Sequence, residues 1–137
     1  MAAPPVSAAP APPPPDPAVE RGTARLRGTR LWRQTNGFDR DYSGGSSYVE
    51  RHTTTTLHDT WYHREESGYS RVSFSGMTST SPIEAESVGT WRVTTAHGAR
   101  LLLVLRADDG TEQDHAVVLG THTAQVDGQD WHWRRLS

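Results

Sequence analysis

VGTWRVTTAHGARLLLVLRADDGTEQDHAVVLG, running from Val88 to Gly120, is the stretch whose reading decides the fold. It holds three short runs of strand-forming residues, joined by His97-Gly98 and by Asp109-Gly110. Asp-Gly between apolar runs is a strong hairpin signal, because both central residues of a type I′ turn need positive φ. The middle run, Leu101 to Leu105, is the most apolar in the chain. Five residues bounded by turn signals is the length of a strand rather than a helix. The stretch therefore reads as a three-stranded antiparallel meander with its central strand buried.

Working outward, the chain of 137 residues has room for one domain, and its first part stands apart. Eight of the nine prolines lie between Pro4 and Pro17, mixed with alanine. Such a composition favours extended polyproline conformations over a packed core, so residues 1–22 read as a disordered tail or linker and 23–137 as a single β-domain. An Ala/Pro spacer fits two settings, the segment that follows a removed export signal, which favours a secreted or periplasmic protein, and a joint within a larger protein. The net charge of −2, with acidic and basic residues interspersed, shows no basic stripe for nucleic acid. All fourteen basic residues are arginine, a mark of a GC-rich genome that fits a bacterial source. The absence of cysteine excludes disulfides, thiol catalysis and cysteine-ligated zinc. No run of eighteen apolar residues is present to span a membrane as a helix.

Upstream of the meander the expected strands are Ala24–Gln34, with Gly28 as a bulge, Tyr48–Leu57, a run starting at Trp61, and Tyr69–Phe74. Four consecutive threonines in Tyr48–Leu57 favour the pleated sheet, since branching at Cβ restricts them in a helix. Two polar stretches, Thr35–Ser47 and Gly76–Ser87, read as long loops, with one helical turn allowed at Ile83–Glu86. Downstream come Thr123–Val126, the turn Asp127-Gly128, and Gln129–Arg134. No segment of twelve residues keeps a helical period. Eight to nine short strands joined by hairpin-length links imply an all-β, antiparallel up-and-down sheet. Closing that sheet into an eight-stranded barrel removes its exposed edges.

Gly28 with Trp32 in the first strand, Gly89-Thr90-Trp91 opening a middle strand, and the repeated Asp-Gly hairpins resemble the calycin superfamily, which includes the lipocalins. The resemblance is one of layout and covers about Arg25 to Arg135. It implies an eight-stranded, lipocalin-like antiparallel barrel able to hold a small apolar ligand.

Five tryptophans, Trp32, Trp61, Trp91, Trp131 and Trp133, are many for a domain of this size. Alternation puts Trp131 and Trp133 on one face, with His132 and Arg134 on the other. Trp32, Trp91, Trp131 and Trp133 are the candidate ligand-binding residues, an aromatic lining for a flat or apolar molecule. The competing reading is that these rings simply fill the barrel. Seven histidines show no metal-binding spacing, although His115, His122 and His132 fall on neighbouring strands and His58 and His63 flank a turn. No metal and no cofactor is expected. Glu65-Glu66 and Asp108-Asp109 are adjacent in strands or turns and so do not converge as a catalytic pair. There is no G-x-S-x-G elbow, and Ser43-Gly44-Gly45-Ser46 lacks the lysine and helix of a phosphate loop. Catalysis is not expected. Leu102 and Val104 give the central strand a second apolar face, which needs cover from the tail, a loop, a helix or a partner subunit. The functional expectation is a non-enzymatic binding protein for a small apolar or aromatic ligand. The alternative is a protein-interaction or accessory domain with a filled barrel, meeting a protein partner through segments 35–47 and 76–87.

Overall fold

A computed structural model describes residues 16–40 and 44–136. It holds one helix, α1 (Pro17–Leu26), followed by eight strands: β1 (Thr29–Arg40), β2 (Ser46–Leu57), β3 (Trp61–Phe74), β4 (Met77–His97), β5 (Arg100–Ala107), β6 (Glu112–Leu119), β7 (Thr123–Val126) and β8 (Gln129–Arg135). Each strand pairs antiparallel with the next, and β1 closes on β8 through Thr29–Arg135 to Trp32–His132. The result is the closed eight-stranded up-and-down barrel expected from the hairpin spacing. The meander is present with Trp91 opposite Leu105 and Leu103 opposite His115. Between Val93 and Thr95 the register shifts by a bulge. Gly89 is required where β4 meets β5, because a Cβ there would lie 1.8 Å from the Arg106 carbonyl oxygen.

Three expectations need correction. The segment from Pro17 is a helix, neither tail nor, from Ala24, strand. Asp16 caps it by accepting a hydrogen bond from the Ala18 N–H at 2.9 Å, Pro17 occupies the first turn, and Glu20 faces the positive end of the helix dipole. Gly28, at φ +72°, then redirects the chain into β1, so it is a hinge and not a strand bulge. Residues 1–15 of the expected tail lie outside the described residues. Second, most of Thr35–Ser47 and Gly76–Ser87 is strand, not long loop: β1 runs to Arg40, β2 begins at Ser46, residues 41–43 lie outside the described residues, and 77–87 belong to β4. Polar composition misled here because both faces of these strand ends meet solvent, which removes the apolar half of the alternation. Third, the runs expected separately from Trp61 and at Tyr69–Phe74 are one strand: β3 continues through Glu66-Ser67-Gly68, where Gly68 takes φ +142° and its missing Cβ leaves room for the Glu50 carbonyl.

Inward residues alternate along every strand: Leu31, Thr53, Thr55, Leu57, Tyr62, Trp91, Val93, Leu101, Leu103, Leu105, Val117, Leu119, Ala124 and Val126 are buried. Helix α1 closes the barrel end at which β4 turns into β5. Leu26 is fully buried in the core, Val19 packs against it, and Gly22 sits directly over Leu101. On the outer side of β5, Val104 is buried between Arg92 of β4 and Asp114 of β6. Arg92 and Glu112 bond across the strand at 3.3 Å, so side chains of flanking strands supply the cover for that apolar face.

Candidate functional site

The opposite half of the barrel, towards the Asp127-Gly128 turn, holds a half-open cavity of about 160 Å³. Its apolar wall is Leu31, Leu103, Leu105, Val117 and Val126, contributed by β1, β5, β6 and β7. Thr55, Arg64, His115, Asp127, Gln129 and Trp131 supply its polar groups. The barrel dictates this mixture. Leu103, Leu105 and Val117 point inward at alternate positions, and one step further towards the open end the same phase delivers His115.

Asp127 is held by the turn it begins. Its φ is +53°, and the following Gly128 is at +78°. Its backbone N–H donates to the Ala116 carbonyl at 2.8 Å, and its Oδ1 accepts from the Ala116 N–H at 2.9 Å. Oδ2 lies 2.8 Å from His115 Nδ1. Partial burial pushes the Asp127 carboxyl up, but the bonds from His115 and the Ala116 N–H outweigh it and hold the carboxyl below its usual range. An ionised carboxylate accepts, so His115 Nδ1 carries the proton and, in the neutral ring, Nε2 is left as an acceptor. Nε2 of His115 and Nε1 of Trp131 are both buried with no hydrogen-bond partner among the described residues. Arg64, by contrast, is engaged at 3.2 Å by Gln113 and at 3.2 Å by Glu66. Arg33 reaches Gln129 from β1.

The four tryptophans expected to share a site are separated. Trp131 lines the cavity. Trp91 is buried in the core and donates its Nε1–H to the His58 carbonyl at 3.0 Å, a structural role. Trp133 packs against the core and donates to the Gly120 carbonyl at 3.0 Å. Trp32 stands on the outer face, stacked on His132 at 5.5 Å between ring centroids, with the Arg134 guanidinium 6.0 Å away. It lies opposite in phase to Leu31, and alternation therefore excludes it from the interior.

His115 and His132 sit on opposite sides of the barrel wall, so the His115–His122–His132 string does not converge. His58 stacks on Trp61, their ring centroids 3.8 Å apart. On the outer face, His63, Glu65 and Glu86 bring three potential ligand atoms within 4.8 Å of one another. Glu65 and Glu86 are directly paired across β3 and β4, and the imidazole of His63 bonds Glu86. Both carboxylates are exposed, and this cluster is a surface ion-pair group.

No family model, no curated protein and no solved structure matches the chain. What the molecule is follows from its own geometry, a closed eight-stranded antiparallel barrel, plugged at one end and hollow towards the other. No described helix is long and apolar enough to cross a membrane.

Proposed function

We propose that this protein is a non-enzymatic, calycin-like binding protein that holds a small apolar or aromatic molecule inside the barrel. The observation that carries the reading is the half-open cavity of about 160 Å³, where five aliphatic side chains and Trp131 form an apolar bed beside Thr55, Arg64, His115, Asp127 and Gln129. An engineered apolar cavity of about 150 Å³ takes up benzene, so this volume matches a single ring better than a fatty acid or a large dye. Of the four tryptophans expected in the pocket, only Trp131 enters this account as a ligand contact. The test is thermal unfolding of the purified protein with increasing toluene. Saturable stabilisation, abolished when Val117→Phe fills the cavity in a still-folded protein, supports the reading. No stabilisation at any soluble concentration of toluene contradicts it.

A second reading rests on a separate observation. Where β3 and β4 extend past the barrel, Val72, Phe74 and Met77 are 53%, 56% and 76% exposed, and the register puts them on one face. Exposed apolar rows of this kind favour an accessory domain that meets a protein partner through the 76–87 segment. Phe74→Ser with Met77→Ser would then abolish partner capture while leaving toluene binding intact.

A further inference from the structure

We propose that the ligand of this cavity bears a hydroxyl on a single ring, with the ligand O–H donating to His115 Nε2 and the same oxygen accepting from the Trp131 Nε1–H. The inference rests on the reading of the cavity as a ligand site and adds the chemical class of what it takes.

A buried polar atom without a partner is costly, and nearly all such atoms in folded proteins are satisfied. Here two of them, His115 Nε2 and Trp131 Nε1, belong to residues that line the same cavity. They reach it from β6 and β8, the strands on either side of the short β7. Their chemistry is complementary rather than alike. Asp127 takes the proton-bearing Nδ1 of His115, so in the neutral ring Nε2 accepts, whereas an indole Nε1–H only donates. The two cannot be satisfied by one pure acceptor or one pure donor. A carboxylate offers nothing to the acceptor, and an ammonium offers nothing to the indole. A hydroxyl offers both from one atom.

Charge points the same way. The one guanidinium lining the cavity, that of Arg64, bonds to Glu66 and Gln113, and the Asp127 carboxylate beside His115 opposes a second anion. The lining therefore suits a neutral ligand. Size limits the rest: about 160 Å³ admits one six-membered ring with a small substituent, and Leu103, Leu105, Val117 and Val126 supply its apolar bed. A site with polar groups placed for a ligand hydroxyl also discriminates strongly against the analogue that lacks one, because those groups then stay unpaired.

The experiment compares phenol, toluene and fluorobenzene, which are of nearly equal size, in titrations of the full chain followed by proton NMR of the tryptophan indole N–H signals. The Trp131 signal is identified as the one missing from Trp131→Phe. Phenol is expected to bind at least about tenfold more tightly than toluene or fluorobenzene, and to move the Trp131 N–H signal downfield where toluene does not. Trp131→Phe and His115→Phe are each expected to reduce the phenol preference severalfold while retaining toluene binding. Should His115→Phe fail to fold, the ligand comparison and Trp131→Phe decide alone. Equal binding of all three compounds overturns the hydroxyl assignment and leaves the apolar cavity site standing. Binding of none overturns the ligand-site reading itself. A phenol preference undiminished in Trp131→Phe overturns the role given to the indole.

Discussion

Replacing Leu26 by alanine tests whether α1 is a working part of the barrel. Leu26 is the last residue of the helix, is 0% exposed, and joins the core cluster that includes Leu101, Leu57 and Trp91. Removing a fully buried leucine side chain to alanine costs about 2–5 kcal/mol, the loss growing with the cavity left behind. The neighbourhood is tightly fixed: Gly22 already lies against Leu101, and Thr29 Oγ1 donates to the Leu26 carbonyl at 2.6 Å. Little collapse can fill the hole, so a loss of about 3 kcal/mol is expected. For a domain of this size that is a fall in Tm of about 10 °C. Urea unfolding followed by tryptophan fluorescence measures it, with the slope unchanged and the midpoint lowered. Arg25→Ala, one residue earlier on the exposed side, is the control and should stay within about 0.5 kcal/mol of the parent. A Leu26→Ala loss under about 1 kcal/mol, or one equal to the control, would refute the docking of the helix on the barrel end.

Other outcomes follow from the same structure. Gly89→Ala places a Cβ 1.8 Å from a backbone oxygen, so β4 and β5 must part, with an expected loss of about 2–3 kcal/mol in urea unfolding. Asp16→Ala removes the helix cap and should cost about 1 kcal/mol by the same assay. The folded-state carboxyl of Asp127 lies below its ordinary value of 3.8, so its bonds to His115 and the Ala116 N–H add stability at neutral pH that is lost as pH falls through the lowered value. Asp127→Asn should thus destabilise at pH 7, and its gap from the parent should close in acid below about pH 4, as urea midpoints measured across that range would show.

Much of the barrel is legible in the sequence because its signals are local. Asp109-Gly110 and Asp127-Gly128 mark hairpins, and Leu101 to Leu105, between His97-Gly98 and Asp109-Gly110, marks a buried strand. The helix escaped because its ten residues fall short of a recognisable period and its anchoring residues are only Val19, Gly22 and Leu26. The strand extensions at 35–40 and 77–87 escaped because their stability comes from cross-strand pairing rather than from burial, so no apolar alternation records them. The site was half visible. Trp131 carries the right phase, and His115 shares the phase of Val117 and Leu119, a signal present in the sequence. Trp32 cannot share the interior with Leu31 beside it, because neighbouring strand residues take opposite faces. That Arg64 of β3 and Asp127 beyond β7 line one cavity depends on closure and strand tilt, which no single strand encodes.

The most direct measurement of the central claim, a ligand-sized apolar space within the closed barrel, is a crystal structure of the protein under pressurised xenon. Xenon bound among Leu103, Leu105, Val117 and Val126, with Trp131 beside it, is the predicted result. Xenon only on the outer surface, with Trp131 folded inward to fill the space, would contradict the account.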